Sequence, residues 1–524
     1  MTSLSRSKLC MMHNPLGGCC FGRMQSDMIE RPPSLVSQTL ASAFDAYEPG
    51  GFYDEVFAAP GVVRPHYGAL VRTLSDTPWG ELLDRRARLE QAFMNQGVTF
   101  TVYKDDAGIE RIFPFDPVPR ILTRRKWERI ERGLKQRIRA LNAFVDDVYH
   151  GQKILVDGTM PSELVLSARF YRPEFMGFSV PRGVYVHVVG TDLIRDARGD
   201  FYVLEDNLRS PSGVSYVLAN RQVMKWVFPQ LFAAYNVRPV ESYPHHLLQT
   251  LRHVAPDGVD DPTIALLTPG IYNSAYFEHT YLAKAMGIEL VEGQDLIVDD
   301  AVVYMRTTRG LRRVDVLYRR IDDDFLDPLA FRPDSLLGAA GLVNAARLGN
   351  VTIANSIGVG IADDKAIYAY VPKIIKYYLG EDPILPNVTT YLCDDPSERA
   401  YVLEHLAELV TKTTNDAGGY GMTIGPHATR AELEAARSRI LADPRNHVAQ
   451  PTLQLSTHPT FSDHGLAGRH VDLRPYVLYD DEIRVLPGGL TRVALTPGSL
   501  VVNSSQGGGS KDTWVLATDF DADG

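Results

Sequence analysis

The segment Glu205-Asp206-Asn207-Leu208-Arg209 follows the apolar run Phe201–Leu204 and constrains this chain more than any other stretch. Residues two apart on a strand project from the same face, so Glu205 and Asn207 present a carboxylate and an amide oxygen side by side. Hard cations such as Mg²⁺ prefer that pairing, above all when phosphate oxygens complete the shell. The segment is therefore a candidate metal site at the end of a strand.

The residues before this segment predict a hairpin. Val184 to Arg195 has the pattern of a strand, and the turn sequence Ala197-Arg198-Gly199-Asp200 joins it to the next strand. Folding about this turn sets Asp192 opposite Glu205. Two carboxylates directly opposed across a strand pair repel each other unless a cation lies between them. The alternative is a solvated acidic hairpin, and a slip of one residue in register would separate the pair.

Length and composition limit the function classes. A chain of 524 residues exceeds one ordinary core, so about two to four domains are expected. Apolar and charged fractions of 45% and 23% are typical of a soluble globular protein, and no apolar run is long enough to predict a membrane span. The net charge of −10 argues against nucleic acid as the main partner. Four cysteines cannot form a disulfide framework for this length, which predicts a reducing cytoplasm.

The first part of the chain divides into a tail and a helical region. Residues 1–40 lack periodicity and the apolar core of a signal peptide, and we expect a disordered tail whose methionines allow a downstream translation start. Apolar residues three and four apart predict a long helix over Leu122–Tyr149, packed into the core. A second helix is predicted over Val217–Tyr235. The Asp-, Gly- and Pro-rich loop Val254–Pro262 marks a boundary.

Short apolar runs alternate with helical sequence from Thr263 onward. Strands are predicted at 264–267, 289–291, 302–304 and 314–318, with a helix at 274–286, which indicates a parallel α/β sheet. Such sheets bind ligands beyond the carboxyl ends of their strands, so Arg319 and Arg320 are a candidate anion site. Pairing of these arginines with the neighbouring aspartates, Asp322 to Asp324, is the alternative. Gly358-Val359-Gly360 lacks a third glycine and no helix is expected to open on it, so NAD binding is not predicted.

A second set of polar signals lies in the last third of the chain. Lys412 precedes the glycine-rich stretch 413–421, where backbone amides can approach phosphate oxygens without side-chain obstruction, although a flexible hairpin tip is the alternative. A strand predicted over Val471–Leu478 places Asp472, Arg474 and Tyr476 on one face. Arg492 and the segment Asn503–Gly509 complete the series. Three histidines six residues apart fit neither a helix nor a strand and are predicted to be ordinary loop residues: His458, His464 and His470.

The order of these signals is recognisable. A lysine, a glycine loop, a linker with Gln450, an Asp-x-Arg strand, an arginine and an asparagine with glycines together resemble the ATP-grasp ligases, among them the ribosomal-protein glutamate ligases and biotin carboxylase. In that superfamily a metal-binding Glu-x-Asn follows these elements, whereas here Glu205 precedes Lys412 by about 200 residues. The chain therefore resembles a circularly permuted ATP-grasp protein of type 2, and is similar to glutathionylspermidine synthetases, over roughly Phe44–Leu516.

The resemblance implies an α/β fold, α+β in parts, in which a circularly permuted ATP-grasp domain surrounds a central pre-ATP-grasp α/β sheet domain. Residues 41–255 would hold a helical region and the metal-binding part of the ATP-grasp domain. Residues 260–395 would form the pre-ATP-grasp-like domain, which contains the Asp364-Lys365 pair. Residues 396–518 would form the nucleotide-binding part with its glycine-rich lid.

The resemblance also assigns a role to each candidate residue. The phosphates of ATP would contact Lys365 and Lys412 under a lid formed by Gly418, Gly419 and Gly421. The adenine hinge would contain Gln450 and Leu453, although many relatives carry Glu in place of Gln450. Mg²⁺, or Mn²⁺ as an alternative, would be held by Asp192, Glu205 and Asn207. Negative charge would be stabilised by Arg209, Arg474 and, as a weaker second, Arg492.

The implied activity is that of an ATP-dependent carboxylate–amine ligase that works through an acyl phosphate. Its substrates would be a small-molecule or peptide carboxylate and an amine acceptor, for which Arg319, Arg320 and Tyr304 are candidate contacts. No nucleic acid or membrane partner is expected. The rival interpretations are a catalytically idle ATP-binding subunit with a regulatory or assembly role, and an ATP-dependent phosphotransferase.

Overall fold

The computed structural model describes residues 44, 47–104, 107–415, 421–462, 465–503 and 508–519. The predicted tail at 1–40 lies outside these residues, and so do Gly418, Gly419 and His464. No helix in these described ranges is both long and apolar enough to cross a membrane.

A long helix organises the first part of the chain. The elements there are β1 (Phe57–Ala59), β2 (Val62–Val63), α1 (Gly68–Ser75), α2 (Trp79–Gln96), β3 (Thr99–Lys104), β4 (Ala107–Ile112), β5 (Phe115–Leu122), α3 (Arg124–Tyr149), α4 (Lys153–Val156) and α5 (Ser162–Leu166). Helix α3 confirms the predicted long helix. Its apolar stripe, including Trp127, Ile130 and Leu134, is buried in the larger of the hydrophobic cores.

The acidic hairpin follows, and then a group of helices. The elements are β6 (Val188–Arg195), β7 (Phe201–Asn207), α6 (Val214–Val227), α7 (Pro229–Ala233) and α8 (Tyr243–His253). The single helix predicted over Val217–Tyr235 is wrong. Phe228 leaves the helical region (φ −128°, ψ 54°) because Pro229 clashes with a helical residue before it and has no N–H to continue the helix.

The central region contains a parallel sheet with strand order β14-β13-β8-β9, which confirms that part of the prediction. The elements of the region are β8 (Ile264–Leu267), α9 (Tyr276–Met286), β9 (Glu289–Val291), β10 (Leu296–Asp299), β11 (Val302–Thr307), β12 (Gly310–Arg313), β13 (Val316–Arg319), α10 (Leu342–Arg347), β14 (Thr352–Ala354), α11 (Lys365–Ala369) and α12 (Val371–Leu379).

Two details of the central region differ from the sequence interpretation. Strand β11, predicted for the parallel sheet, lies instead in the antiparallel sheet β10-β11-β12. The reason is local: Asp300 and Ala301 both have positive φ (45° and 58°), as in the tight two-residue turns that return a strand antiparallel to itself. In addition, a short 3₁₀ helix (Val359–Asp363) begins directly after Gly358, where no helix was expected.

The last part of the chain is rich in strands. Its elements are β15 (Tyr391–Leu392), α13 (Pro396–Glu404), β16 (Leu409–Thr413), β17 (Thr423–Ile424), α14 (Arg430–Ala442), β18 (His447–Pro451), β19 (Thr457–Ser462), β20 (Gly465–His470), β21 (Tyr476–Tyr479), β22 (Ile483–Val485), β23 (Thr491–Val493) and β24 (Gly509–Val515). The strand predicted over Val471–Leu478 is continuous only from Tyr476. Before that, Val471, Leu473 and Arg474 make isolated bridges.

Two of the histidines predicted for loops lie on strands. His458 is on β19 and His470 ends β20, and both side chains are buried. Burial lowers the pKa of both imidazoles, so they are neutral parts of the core. No group of three or more His, Cys, Asp or Glu side chains suited to a metal was found in the described part of the chain.

The early and late parts of the chain share two sheets. Strand β24 pairs in parallel with β5, and β21 pairs antiparallel with β6, so that Val189 lies opposite Val477. The resulting sheets, β23-β24-β5 and β22-β21-β6-β7, place residues of the acidic hairpin beside residues from the end of the chain. This closure is the arrangement that the permuted order of motifs requires.

A buried ion triad also joins distant segments. The carboxylate of Glu55 lies between the guanidinium groups of Arg120 (2.5 Å) and Arg195, and all three side chains are excluded from solvent. Burial opposes ionisation of Glu55, but the two arginines outweigh it and hold the pKa of Glu55 well below its usual range. Removing the carboxylate would leave two buried cations without compensation.

We expect Glu55→Ala to lower the free energy of unfolding by about 3–5 kcal/mol, the typical cost of breaking a buried ion pair. The measurement is urea unfolding followed by tryptophan fluorescence. Glu81→Ala is the control, because Glu81 makes an exposed pair with Arg85 and its removal costs about 0.5 kcal/mol or less. Equal losses for the two variants would contradict the structural role of the triad.

Candidate active site

The acidic hairpin has the register that the sequence predicts. Strands β6 and β7 pair antiparallel with Asp192 opposite Glu205 and Gly190 opposite Asn207. The register shifts just after Asp192, between it and Leu193, so the pairing of the two carboxylates lies beside a bulge. Bulges re-aim side chains, and here the irregularity adjoins Asp192 at the edge of a cleft.

Asp192 is held by two arginines from the late strands. Its carboxylate accepts hydrogen bonds from Nε and Nη2 of Arg474 at 2.5 and 2.8 Å and from Nη2 of Arg492 at 2.7 Å. Burial opposes ionisation of Asp192, but Arg474 and Arg492 outweigh it and hold the pKa of Asp192 well below its usual range. Asp192 is therefore ionised, and both of its oxygens are engaged.

Asp472 completes this ion cluster of two carboxylates and two guanidiniums. Arg492 donates from Nε to both oxygens of Asp472 at 3.0 Å. Burial raises the pKa of Asp472, and the nearby charge of Asp192 adds to that rise, while Arg492 opposes it. We call Asp192, Asp472, Arg474 and Arg492 the arginine–aspartate cluster. Its formal charges cancel, which is what permits four ionic groups to be buried together.

Glu205 and Asn207 lie next to this cluster and are less engaged. The Glu205 carboxylate is 3.7 Å from Nζ of Lys365 and 3.9 Å from Nη2 of Arg474, and the side chain is 23% exposed. The amide nitrogen of Asn207 is buried with no hydrogen-bond partner among the described residues, so turning the amide to present its oxygen loses no bond through that nitrogen. A carboxylate and an amide oxygen on one face fit a hard divalent cation.

Lys412 lies on β16 across from β18. Its ammonium donates to Oε1 of Gln450 at 2.8 Å, and Nε2 of Gln450 donates to Thr390. Burial lowers the pKa of Lys412 to about 8, and the charge of Lys365 acts in the same direction, while Glu205 and Asp192 oppose it. The neutral amide of Gln450 leaves the charge of Lys412 available to an anionic ligand.

A cavity of about 130 Å³ joins these groups. The polar lining residues are Asp192, Glu205, Lys365, Lys412, Thr413, Gln450, Thr452, Asp472, Arg492 and Asn503. The apolar lining residues are Ile194, Leu204, Val410, Met422, Ile424, Leu453, Leu455, Leu500, Val501 and Val502. A cavity in which apolar side chains lie beside several charged ones has the character of a small-molecule site, and the resemblance in sequence implies a nucleotide there. We call it the nucleotide cavity.

Sequence reasoning missed the apolar walls. The available signal is the strand period of two, since Ile194 lies two residues after Asp192 and Val410 two residues before Lys412. Asn503, noted in the sequence without a role, lines the cavity as well.

A second cavity of about 370 Å³ adjoins the nucleotide cavity and shares Glu205, Arg492 and Asn503 with it. It is lined further by Asn207, Arg209 and Arg474, and by the stacked rings of Phe113 and Tyr216, whose centroids are 4.1 Å apart. We call it the acceptor cavity after the second substrate that the resemblance in sequence implies.

Arg209 enters the acceptor cavity already paired. It donates to Asp363 at 2.9 Å and to Asp322 at 3.1 Å, and its guanidinium lies 3.8 Å from the ring centre of Phe170. Burial opposes the charge of Arg209, but the two aspartates outweigh it and raise the pKa of Arg209. Neither aspartate was predicted as a partner of Arg209, because both contacts span more than 100 residues.

The other candidate arginines, Arg319 and Arg320, are each paired with a carboxylate of the protein. Arg319 is fully buried, pairs with Asp323 at 2.7 Å and donates to main-chain oxygens, so the alternative of structural pairing holds for it. Arg320 pairs with Glu278 instead of a neighbouring aspartate. Tyr304 lies on β11 in the separate antiparallel sheet and lines neither the nucleotide cavity nor the acceptor cavity.

Comparison with known proteins decides the family. A sequence profile described as "Circularly permuted ATP-grasp type 2" matches residues 119–494. An uncharacterized protein of Synechocystis sp. is 56% identical over 90% of this chain and 98% of its own length. The chain belongs to the circularly permuted ATP-grasp type 2 family. Membership of this family confirms the resemblance and agrees with the permuted order of the candidate motifs in the sequence.

Two further matches are a sequence relative that this chain covers in part and a structural neighbour at low identity. A protein of Frankia casuarinae named "Putative glutamate--cysteine ligase 2-2" is 44% identical over 92% of this chain, but the match covers 56% of that protein. The apo structure of a glutathione synthetase-like effector of Globodera pallida is similar with a TM-score of 0.54 at 12% identity, over 84% of this chain and 98% of that chain. At this identity the likeness shows the ATP-grasp type of fold alone.

The pKa of Lys412 generates a prediction for nucleotide binding. Lys412 keeps its proton below its pKa of about 8 and loses it above, so affinity for a non-hydrolysable ATP analogue with Mg²⁺ falls as pH rises through that region. The loss is about tenfold, the value of one charge-assisted contact. Isothermal titration calorimetry across this pH range measures it.

Two variants test the assignment of this pH dependence to Lys412. Lys412→Met removes the titrating group, and its weaker affinity should not change across the same pH range. Gln450→Glu places a carboxylate beside the ammonium, raises the pKa of Lys412 and moves the fall in affinity to higher pH. A wild-type affinity that is independent of pH, or an unchanged fall in Lys412→Met, would contradict the assignment.

Proposed function

We propose that this chain is an ATP-dependent carboxylate–amine ligase, ADP-forming, that acts through an acyl phosphate. The observation that carries the proposal is the shared wall between the two cavities, formed by Glu205, Arg492 and Asn503. A phosphoryl group that moves from a nucleotide on one side to a carboxylate on the other crosses this wall. Membership of an ATP-grasp family supports the use of ATP.

On the nucleotide side, the apolar walls of the nucleotide cavity would receive the adenine next to Gln450 and Leu453. Lys365 and Lys412 would contact the phosphates. The glycine-rich stretch with Gly418, Gly419 and Gly421 would close over them as a lid, since glycine amides can approach phosphate oxygens closely and exclude water from a labile intermediate.

Glu205 and Asn207 would hold Mg²⁺, with Mn²⁺ as an alternative, together with phosphate oxygens. When bound, the cation would neutralise phosphate charge during transfer. Asp192 was predicted as a third ligand, but both of its oxygens accept hydrogen bonds from arginines. We therefore propose that Asp192 orients Arg474 and Arg492, in place of direct coordination.

The reaction follows from the charges around the shared wall. A carboxylate oxygen of the substrate attacks the γ-phosphorus of ATP, the bond to ADP breaks, and an acyl phosphate forms. An amine nitrogen then attacks the acyl carbon, inorganic phosphate leaves, and the nitrogen gives up a proton to form an amide. Arg474, Arg492 and Arg209 stabilise negative charge at this end, which is the main demand that phosphoryl transfer makes on a protein.

The substrates are proposed as classes. A small-molecule or peptide carboxylate would occupy the acceptor cavity, and an amine would approach from its far side. The name of the Frankia relative as a putative ligase supports this class, while the match covers only 56% of that protein. We place the activity in the cytoplasm, where ATP is available.

Trapping with hydroxylamine tests the proposal. Purified protein, ATP, Mg²⁺ and a small-molecule fraction of cell extract should yield ADP and a hydroxamate, because hydroxylamine captures an acyl phosphate in place of the natural amine. Mass spectrometry of the hydroxamate identifies the carboxylate. ADP without hydroxamate would indicate a phosphotransferase, and ATP binding without ADP formation would indicate a regulatory or assembly module.

Glu205→Ala should reduce hydroxamate formation at least about a hundredfold, the usual cost of losing one group that stabilises transferring charge. The fold should persist, because Glu205 is partly exposed and its ion pairs with Lys365 and Arg474 are long. Lys412→Ala should act in the same direction. Glu434→Ala is the matched control, because Glu434 is 72% exposed on α14, outside both cavities. Undiminished turnover in purified Glu205→Ala would contradict the site.

A further inference from the structure

A third cavity opens beside the acceptor cavity. It has a volume of about 300 Å³ and shares Ser210, Ser212, Ser274, Ala275 and Asp322 with the acceptor cavity. The nucleotide cavity and the acceptor cavity form one cleft. The third cavity adjoins this cleft at the acceptor cavity and shares no described lining residue with the nucleotide cavity. A molecule bound there can reach a carbonyl activated in the acceptor cavity.

One wall of the third cavity is the start of helix α9. Ser274 and Ala275 line the cavity, and the helix begins at Tyr276, where Ala275 supplies no capping side chain. Asn273 accepts from the N–H of Ala275 with its side chain and from the N–H of Tyr276 with its main-chain oxygen, so the N–H groups left for a ligand lie further into the first turn. Uncapped N–H groups at a helix start, together with the helix dipole, favour an anionic oxygen. A helix start is common in proteins, so the neighbouring side chains must decide whether a ligand is bound there.

Two donors at this wall have no hydrogen-bond partner in the part of the chain that the structure describes. Arg320 is 5% exposed and lines the cavity; its terminal nitrogens bind Glu278, Pro211 and Tyr318, while its Nε is buried with no hydrogen bond among the described residues. The hydroxyl of Ser210, on the wall shared with the acceptor cavity, is likewise buried and without a partner in the described ranges. Unpaired buried donors are costly, and a ligand carboxylate would satisfy them.

The acidic content of the cavity is small. Asp322 is the acidic side chain among its described lining residues, and it is 46% exposed with one oxygen accepting from Arg209. His279, on the same wall, stays neutral because burial lowers its pKa to about 2. One carboxylate suits one ammonium group, whereas a polyamine carries several and needs several acidic partners.

We propose that the amine substrate is an amino acid or a short peptide, whose carboxylate binds at the start of helix α9 beside Arg320 and Ser210 and whose amine faces Asp322. This inference rests on the proposed ligase function. It assigns the third cavity to a zwitterion and excludes a polyamine as the acceptor. The amine nitrogen then lies on the wall that the third cavity shares with the acceptor cavity, on the path to the acyl carbon.

Calorimetry on the full chain with a non-hydrolysable ATP analogue and Mg²⁺ tests the assignment without turnover. The probes are the twenty protein amino acids, diglycine, and matched amines that lack the α-carboxylate: ethylamine for alanine, 4-aminobutyrate for glutamate, and cadaverine for lysine, with putrescine and spermidine. We expect at least one amino acid or diglycine to bind, and the corresponding amine to bind at least about tenfold more weakly.

Ser274→Glu and Ser274→Gln form a matched pair, because the two side chains have nearly the same size and differ in one negative charge. The charge should weaken binding of the zwitterion at least about tenfold relative to Ser274→Gln. Asp322→Asn should weaken amino acids and simple amines alike. Equal loss in both Ser274 variants, equal or tighter binding of a polyamine, or no binding of any amino acid or of diglycine would overturn the proposal.

The outcomes separate this inference from the proposed function. An amino acid that binds as expected while no hydroxamate forms would leave the zwitterion site intact and remove the ligase. A hydroxamate that forms while spermidine displaces every amino acid would do the reverse.

Discussion

The ion pairing of Asp192 with Arg474 and Arg492 is the interaction on which the candidate active site depends. Asp192 lies on β6 and Arg492 on β23, while Arg474 lies just before β21, and the contacts span 282 and 300 residues of sequence. Pairing of β6 with β21 brings the partners together, and Asp472 brings the cluster to formal neutrality. A buried cluster of this kind tolerates no missing member, because each remaining charge would be left in a medium of low dielectric. The permuted chain must therefore close before its cleft exists.

Because the formal charges of the arginine–aspartate cluster cancel, its guanidinium groups offer little net positive charge to a ligand. Arg209, Arg474 and Arg492 each face carboxylates of the protein, so their charges are largely compensated before any ligand arrives. Lys412 differs, because its hydrogen-bond partner is the neutral amide of Gln450. The charged side chains that line the nucleotide cavity are three cations, Lys365, Lys412 and Arg492, and three carboxylates, Asp192, Glu205 and Asp472, so they cancel formally. In the proposed function, a divalent cation held by Glu205 and Asn207 would supply the positive charge that a polyphosphate needs.

The sequence predicted the structure correctly where a short stretch of residues determines it. The hairpin register follows from a turn at Arg198 and Gly199, and the long helix α3 from its apolar period. The sequence did not predict contacts between residues that lie far apart in the chain. The contact of Lys412 with Gln450 depends on the register of β16 against β18, and Arg209 pairs with Asp363, 154 residues away. The break at Phe228 had a local signal in Pro229 that the apolar pattern obscured. The order of the motifs led to charged residues of the cleft, among them Asp192, Glu205, Lys365, Lys412, Arg474 and Arg492, but not to its apolar walls. The domain boundaries and the residue roles stay predictions.

The segment Ser210–Gly213 lies between the acceptor cavity and the third cavity. Hydrogen bonds from residues on both sides hold its main chain in place. On one side, Arg474 and Tyr476 donate to the main-chain oxygen of Ser212; on the other, Arg320 donates to that of Pro211, and the amide of Gly213 donates to Glu278. Gly213 has φ +115°, and a Cβ there would lie 2.4 Å from the hydroxyl of Tyr476, so only glycine fits without displacement. A shift of this segment would move the arginine–aspartate cluster and the zwitterion site together. Because the segment contributes to the walls of both cavities, in the proposed ligase its fixed main chain would set the separation between an activated carboxylate and an incoming amine, and holding two reactants in position is a large part of catalysis.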